Sequence, residues 1–223
     1  MIVAKPKPVE EVARLIDSCD NILIVACGGC ATICLAGGEK EGEILATALC
    51  SWREKQGRTI NATVTTITRQ CELEFVTDIA HQVKQVEAIV SLGCGVGVQF
   101  LAEHYRDKLV YPALNTIFAG GSVQPGRWEE RCGLCGECML HLTAGICPVT
   151  RCAKNIQNGP CGGSQNGKCE INPQLPCAWH LIYEKLASLG RLDIMMAYRP
   201  PKDWSKGKSG GPRSVKREDA TQR

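Results

Sequence analysis

The chain has 223 residues, a formal net charge of +3, 44% apolar residues and fifteen cysteines. The small net charge does not favour a nucleic-acid binder, no apolar run reaches the length of a membrane span, and the polar N-terminus lacks the apolar segment of a secretory signal. We therefore predict a cytoplasmic protein without membrane insertion. Its thiols then stay reduced, and they are better interpreted as metal ligands than as disulfides.

The first 118 residues alternate between strand and helix patterns. Apolar residues at helical spacing predict helices near 9–16, 42–55, 73–83 and 97–105, and short apolar or β-branched runs predict strands near 21–26, 59–68, 88–92 and 109–113. Strands that alternate with helices form a parallel sheet covered on both faces. The predicted fold class is therefore α/β, with a Rossmann-like parallel-sheet domain over 1–118 followed by a small, irregular, cysteine-rich metal-cluster domain.

Residues 119–190 have a different composition. They are dense in glycine, proline and cysteine, and their only long periodic run is a predicted helix at 178–189. Such a segment buries too little apolar surface to fold by itself, so we expect bound metal to stabilise it. Residues 191–223 are predicted to form an extended, disordered basic tail, because 199–223 carry eight Lys or Arg against three Asp or Glu and few apolar residues.

Eight cysteines in this second region are candidate metal ligands: Cys132, Cys135, Cys138, Cys147, Cys152, Cys161, Cys169 and Cys177. The first three follow the spacing C-x2-C-x2-C, and Cys147 precedes a proline, as in ferredoxin-type ligation of a [4Fe–4S] cluster. Zinc accepts the same thiolate ligands. The set therefore predicts two four-thiolate sites. They would hold either two clusters or one cluster and one zinc ion. A set that binds only zinc remains an alternative, and the spacing does not fix the pairing.

Five further cysteines follow predicted strands. Cys27, Cys30 and Cys34 come after the first strand, Cys71 after the second and Cys94 after the third. The carboxyl ends of parallel strands share one edge, where ligands bind. We predict a cluster held there by Cys27, Cys30, Cys34 and Cys94, with Cys71 as a substitute or close neighbour. A nucleotide pocket is the alternative, although these glycine-rich turns do not spell G-x-G-x-x-G.

The remaining two cysteines, Cys19 and Cys50, lie in helical patterns and are predicted to be buried apolar residues. The four histidines are scattered, and no Ser/His/Asp set stands out. The sequence therefore predicts no catalytic residues.

Four segments carry a resemblance to a known family. They are CGGCATICLAGG at 27–38, RQC at 69–71, GCGVGVQ at 93–99 and the cysteine block at 131–179. Together they resemble the MetV family, the iron–sulfur and zinc-binding accessory subunits of bacterial methylenetetrahydrofolate reductase complexes. The resemblance covers roughly residues 20–190.

The resemblance implies a function as well as partners. Subunits of this family associate with MetF, the flavoprotein that reduces methylenetetrahydrofolate in the one-carbon metabolism of the Wood–Ljungdahl pathway, and some complexes include further electron-input proteins. The implied role is electron transfer through two [4Fe–4S] clusters to the MetF flavin. The alternatives are a zinc-stabilised structural subunit that docks MetF without electron transfer, and an independent enzyme with its own nucleotide or corrinoid site in residues 1–118.

Overall fold

The computed structural model describes residues 1–217 and 219. The chain divides into two compact units, Met1–Glu129 and Glu130–Arg223, here called the N-terminal and C-terminal units. In chain order the elements are β1 Ile2–Pro6, α1 Val9–Leu15, β2 Asn21–Cys27, α2 Cys30–Ile33, α3 Glu39–Glu54, β3 Asn61–Ile67, α4 Leu73–Thr77, α5 Ala80–Val83, β4 Ala88–Leu92, α6 Gly95–His104, β5 Leu109–Pro112, β6 Leu114–Gln124, β7 Arg127–Cys132, α7 Pro148–Arg151, α8 Ala178–Ser188 and α9 Asp193–Met196.

The centre of the N-terminal unit is a four-stranded parallel sheet in the order β3-β2-β4-β5. Its two central strands are almost entirely buried. Alternate residues of β2 serve two cores, since Ile22 and Ile24 pack with α1 and α3, and Leu23 and Val25 pack with α4, α5 and α6. Helices therefore cover both faces, which confirms the predicted α/β fold.

A second sheet was missed by the sequence analysis. It has the order β1-β6-β7, and β1 pairs with β6 in antiparallel register. The pairing joins residues more than a hundred positions apart, with Ile2 opposite Ala119. Strand β6 also continues beyond residue 118, where the sequence predicts the end of the first domain. Its paired glycines and polar residues give little strand signal, so its sequence alone did not indicate it.

The C-terminal unit is built around α8, which confirms the helix predicted there. One face of α8 is buried, and the core consists of Cys177, Trp179, Ile182 and Leu186. Before α8, the regular structure consists of the end of β7, one 3-10 turn and the single turn of α7. This core is much smaller than either core of the N-terminal unit.

The structure contains short helical segments within the predicted extended tail. They are α9 and two 3-10 turns at Trp204–Lys206 and Lys208–Gly210. Lys202 Nζ donates to the backbone oxygen of Glu137 at 2.8 Å, and Lys206 forms an ion pair with the Glu137 carboxylate. The part of the prediction that falls on residues 218 and 220–223 lies outside the described residues. Within the described residues, no helix is long and apolar enough to cross a membrane.

Candidate metal centres

The order of the parallel strands creates a switch point between β2 and β4. From β2 the chain continues to β3 on one side of the sheet, and from β4 it continues to β5 on the other. Open α/β sheets bind ligands in the crevice at such a point, outside the carboxyl ends of the strands. Cys27 is the last residue of β2, and Cys94 lies two residues beyond β4 as the N-cap of α6. These two predicted ligands therefore flank the switch point.

Cys71 is linked to both of these residues by charge. Although Cys71 is exposed, partial burial of its thiol raises the pKa, and negative charge on Cys27 and Cys94 raises it further. A hydrogen bond from the backbone of Cys71 acts in the opposite direction but is outweighed. The Cys71 thiol thus lies within electrostatic reach of both Cys27 and Cys94.

The other two predicted ligands of this set differ in their surroundings. Cys30 begins α2 and is half-buried. Cys34 follows α2 and is 6% exposed, and its thiol donates to the backbone oxygen of Ala31 at 3.5 Å and lies 3.8 Å from that of Ala4. The structure therefore packs Cys34 into the core against β1, whereas Cys71 shares an electrostatic environment with Cys27 and Cys94.

The loop after β2 is folded back onto the sheet edge. The backbone N–H of Cys27 donates to the oxygen of Gly37 at 2.9 Å, and that of Gly28 donates to Ile67 at 2.9 Å. A Cβ atom at Gly37 would lie 2.1 Å from the backbone oxygen of Leu92. Glycine is thus required at position 37 because this loop closes directly against the end of β4.

A buried amide that the sequence analysis missed lies beneath this edge. Gln70 is 1% exposed, its Nε2 donates to the backbone oxygen of Val25 at 2.8 Å, and its Oε1 accepts from Ser91 Oγ at 2.6 Å. The missing Cβ atoms of Gly93 and Gly97 make room for it, since a Cβ there would lie 2.2 and 2.6 Å from Gln70 atoms. Those two glycines were the available sequence signal, but their neighbour is apparent only in three dimensions.

In the C-terminal unit, the chain around Cys132 lies against α7, whose N-cap is Cys147. Thr150 Oγ1 donates to the backbone oxygen of Arg131 at 3.3 Å, and a Cβ at Gly133 would lie 3.1 Å from Val149 Cγ1. The loop that carries Cys132, Cys135 and Cys138 therefore starts against the helix whose N-cap is Cys147.

The backbone of this loop donates a hydrogen bond to a cysteine sulfur. The backbone N–H of Leu134 donates to Cys132 Sγ at 3.4 Å. Gly136, directly after Cys135, has φ +82°, and a Cβ there would lie 1.9 Å from the backbone oxygen of Lys206. An N–H···S bond of this kind stabilises a metal-bound thiolate and tunes the metal.

The last four cysteines gather near the start of α8. Cys177 is the N-cap of α8, and Cys152 and Cys161 pack against the same core. Burial raises the pKa of the Cys177 thiol, but hydrogen bonds from Ser164, from the backbone N–H groups of residues 180 and 179, and from Cys161 outweigh it and hold the pKa below its usual value. A thiol at a helix N-terminus is stabilised as the thiolate, the form that binds metals.

Two backbone contacts tie Cys169 and Cys152 into this second group. The N–H of Cys169 donates to Leu175 at 3.0 Å within the turn that leads to Cys177, whose own N–H donates to Gly167 at 2.8 Å. Cys152 Sγ accepts from the N–H of Ile156 at 3.4 Å. Cys152 therefore lies at the end of α7 and also packs, with Cys161 and Cys177, in the core beside α8.

All fifteen cysteines are free thiols. Within the described part of the chain, no three Cys, His, Asp or Glu side chains are already assembled to hold a metal ion. The structure therefore brings together the thiol-bearing loops, but not the sulfur atoms in coordinating geometry. The donor chemistry, thiols that accept backbone N–H groups, fits iron–sulfur clusters and zinc alike.

The fold and its cysteines define a thiol-rich α/β protein with a second, cysteine-rich unit. Residues 111–205 match the family model described as methylene-tetrahydrofolate reductase C terminal, and this match spans all eight cysteines of the C-terminal unit. It supports a protein associated with methylenetetrahydrofolate reductase. No curated protein and no solved structure matches the chain.

Proposed function

We propose that this chain is an accessory subunit of a methylenetetrahydrofolate reductase complex that relays electrons through two [4Fe–4S] clusters to the flavin of a MetF subunit. The family match over residues 111–205 supports the association with the reductase. The observation that carries the redox role is the placement of Cys27, Cys71 and Cys94 at or just beyond the carboxyl ends of β2, β3 and β4, beside the switch point and far in sequence from the matched cysteines. Two thiol-rich units in one chain suit a relay better than a single catalytic pocket.

At the sheet edge, the residues that would hold a cluster are Cys27, Cys30, Cys71 and Cys94. Cys71 takes the place in this set that the sequence analysis assigned to Cys34, because the Cys34 thiol is engaged with backbone oxygens in the core. Cys94 lies at the N-terminus of the ten-residue helix α6, whose positive end favours a negatively charged thiolate. The nearby core residues of β2 and β4 exclude water from the buried side of the site.

In the C-terminal unit, the two groups of four suit different roles. Cys132, Cys135, Cys138 and Cys147 have the spacing of a ferredoxin-type site, and would hold the second cluster. Cys152, Cys161, Cys169 and Cys177 surround the small core, where a zinc ion would act as a structural staple. A bound iron–sulfur cluster supplies one-electron oxidation and reduction, and the N–H donor to Cys132 would adjust its potential.

A second candidate function is a zinc-stabilised structural subunit that docks MetF without carrying electrons. The observation that favours it is the size of the C-terminal core, which has four buried apolar residues. A core of this size needs a staple whether or not electrons pass through it. The two candidates therefore differ in the metal that is bound, which can be measured directly.

The deciding experiment is the content of iron, zinc and acid-labile sulfide per chain, on protein purified without oxygen. About eight iron and eight sulfide together with one zinc would indicate two cubane clusters and the zinc staple, and would support the relay. About four iron with one zinc would indicate one redox site beside a structural staple. Zinc without iron would refute the relay and leave the structural subunit.

Site-directed variants locate the metal within the chain. Cys135→Ser is expected to remove the iron of one cluster and leave the cluster at the sheet edge. Cys50→Ser is the matched control, because the Cys50 thiol lies in α3 and donates to the backbone oxygen of Ile60 at 3.7 Å, away from both groups. Unchanged iron in Cys135→Ser would contradict the ferredoxin-type assignment.

Electron transfer itself is tested with the partner flavoprotein. When the reduced chain is mixed with MetF, the flavin absorbance should bleach. A flavin that stays oxidised would contradict the relay.

A further inference from the structure

We propose that Gln70 is a positioning residue that fixes the spacing of the three thiols at the sheet edge, a proposal that rests on the function proposed above. Gln70 directly precedes Cys71 and is 1% exposed. Its amide bridges the two central strands, since Nε2 donates to Val25 in β2 and Oε1 accepts from Ser91 in β4. One side chain therefore connects the chain segments that bear all three thiols.

Each end of this network lies close to a cysteine. Val25 lies two residues before Cys27. Ser91 Oγ also accepts from the backbone N–H of Gly93 at 3.1 Å, and Gly93 directly precedes Cys94. A chain of hydrogen bonds thus runs from the base of the Cys94 loop, through Ser91 and Gln70, to the strand that ends in Cys27.

The amide also fits its site closely. A Cβ atom at Gly93 or at Gly97 would clash with Gln70. The start of α6 therefore packs directly against this side chain. A displaced Gln70 would therefore move the N-terminus of α6 and its N-cap, Cys94. The buried surroundings hold the amide in one rotamer, because both of its polar ends are occupied.

Stability alone does not explain why a buried amide occupies position 70. A buried hydrogen-bonded amide contributes little more net stability than an apolar group of the same shape, whereas an orphaned partner is costly. An apolar side chain together with removal of the Ser91 hydroxyl would fill the space without leaving that hydroxyl unpaired, although the backbone N–H of Gly93 would then lose its acceptor. What such a replacement would lose is the directional link between the strands, and with it the register of the three thiols.

The test uses the full-length, metal-free chain under reducing conditions and Co(II) as the probe, because cobalt thiolates have a charge-transfer absorbance. Cys94→Ser first identifies the fraction of that absorbance that belongs to the sheet edge. Gln70→Leu and the double variant Gln70→Leu/Ser91→Ala are then titrated. Asn21→Leu is the matched control, because the Asn21 amide makes similar hydrogen bonds, to the backbone oxygen of Gln85 and to the Asn61 side chain, at the opposite edge of the sheet.

In Gln70→Leu and in the double variant, the Cys94-dependent absorbance is expected to reach half its maximum at about tenfold more Co(II). Losses of this size are usual when a residue that orients the metal ligands is removed. The remaining absorbance, from the C-terminal cysteines, should be unchanged. Thermal unfolding of Gln70→Leu and of the control Asn21→Leu is measured alongside, and a loss of Co(II) affinity confined to Gln70→Leu at comparable stability separates positioning from stability. A double variant that binds Co(II) as tightly as the unmodified chain would overturn the proposal. If Cys94→Ser removes no absorbance at all, the sheet-edge site of the proposed function fails, and this proposal fails with it.

Discussion

The two units of this chain place cysteine in opposite relations to the fold. In the N-terminal unit, a buried parallel sheet with a core on each face forms from apolar residues, and Cys27, Cys71 and Cys94 lie at one edge of that sheet. In the C-terminal unit, the core consists of Trp179, Ile182 and Leu186 from one eleven-residue helix together with Cys177, and the eight cysteines lie in loops or at the ends of helices and strands. A sheet with its own core can present a metal site, whereas we expect the loop-rich unit to depend on bound metal for its stability.

The largest expected effect is the removal of metal. If the C-terminal unit holds structural zinc as proposed, a chelator under reducing conditions should unfold residues 130–190, because structural zinc contributes about 10–16 kcal/mol to the folding of zinc-finger peptides. The strands β2 and β4 should keep their protection, because their cores do not depend on a ligand. Hydrogen exchange with and without the chelator measures both units in the same sample.

The N-terminal unit is the internal control in this experiment. Equal loss of protection in both units would indicate that the parallel sheet also needs metal. Full protection in both, after chemical analysis has confirmed that the metal is gone, would contradict a metal-stabilised C-terminal unit.

The next largest effect is expected from Trp179. Its ring is 2% exposed and packs against Gly159, where a Cβ would lie 2.2 Å away, and its Nε1 donates to the backbone oxygen of Ile156 at 2.9 Å. Trp179→Ala should lower the free energy of unfolding of the C-terminal unit by about 3–5 kcal/mol. Urea unfolding of the metal-loaded chain, followed by hydrogen exchange, measures this.

Trp204→Ala is the matched control, because Trp204 is 38% exposed in a short turn. We expect it to change the free energy of unfolding by about 0.5 kcal/mol or less. If Trp179→Ala were equally mild in the metal-loaded chain, the ligands alone would hold the unit. The contrast between an apolar core and a metal-held fold would then be even sharper than the structure indicates.

The same contrast explains how much of the molecule was predictable. The parallel strands were predicted because continuous apolar runs such as 21–27 and 88–92 can only be buried. Their topology then predicted the convergence of Cys27 and Cys94, since parallel strands share their carboxyl edge. The second sheet was not predicted, because the pairing of β1 with β6 joins residues more than a hundred positions apart, and local sequence patterns do not encode it.

Other features depended on side-chain direction, which local pattern does not encode. The engagement of Cys34 with the core and the burial of Gln70 both depend on elements that are distant in sequence, β1 for the first and β2 with β4 for the second. In the C-terminal unit, spacing identified the cysteines but could not divide them. Turns and caps do not divide them either, because Cys152 caps the end of α7 and also packs against the core beside α8.

The smallest expected effect tests the convergence of the sheet-edge thiols without metal. Because the pKa of Cys71 is raised by burial and by charge on Cys27 and Cys94, its thiolate forms at higher pH than an ordinary cysteine thiolate. Alkylation of the metal-free chain by iodoacetamide, followed at Cys71 by mass spectrometry across a pH series, should therefore have a raised midpoint. Cys27→Ser and Cys94→Ser should each move that midpoint down, since each removes a negative neighbour. Cys34→Ala should leave it unchanged, because Cys34 does not contribute to the shift. A midpoint that responds to neither Cys27→Ser nor Cys94→Ser would separate Cys71 from these two thiols, remove it from the site and restore Cys34 as the fourth predicted ligand.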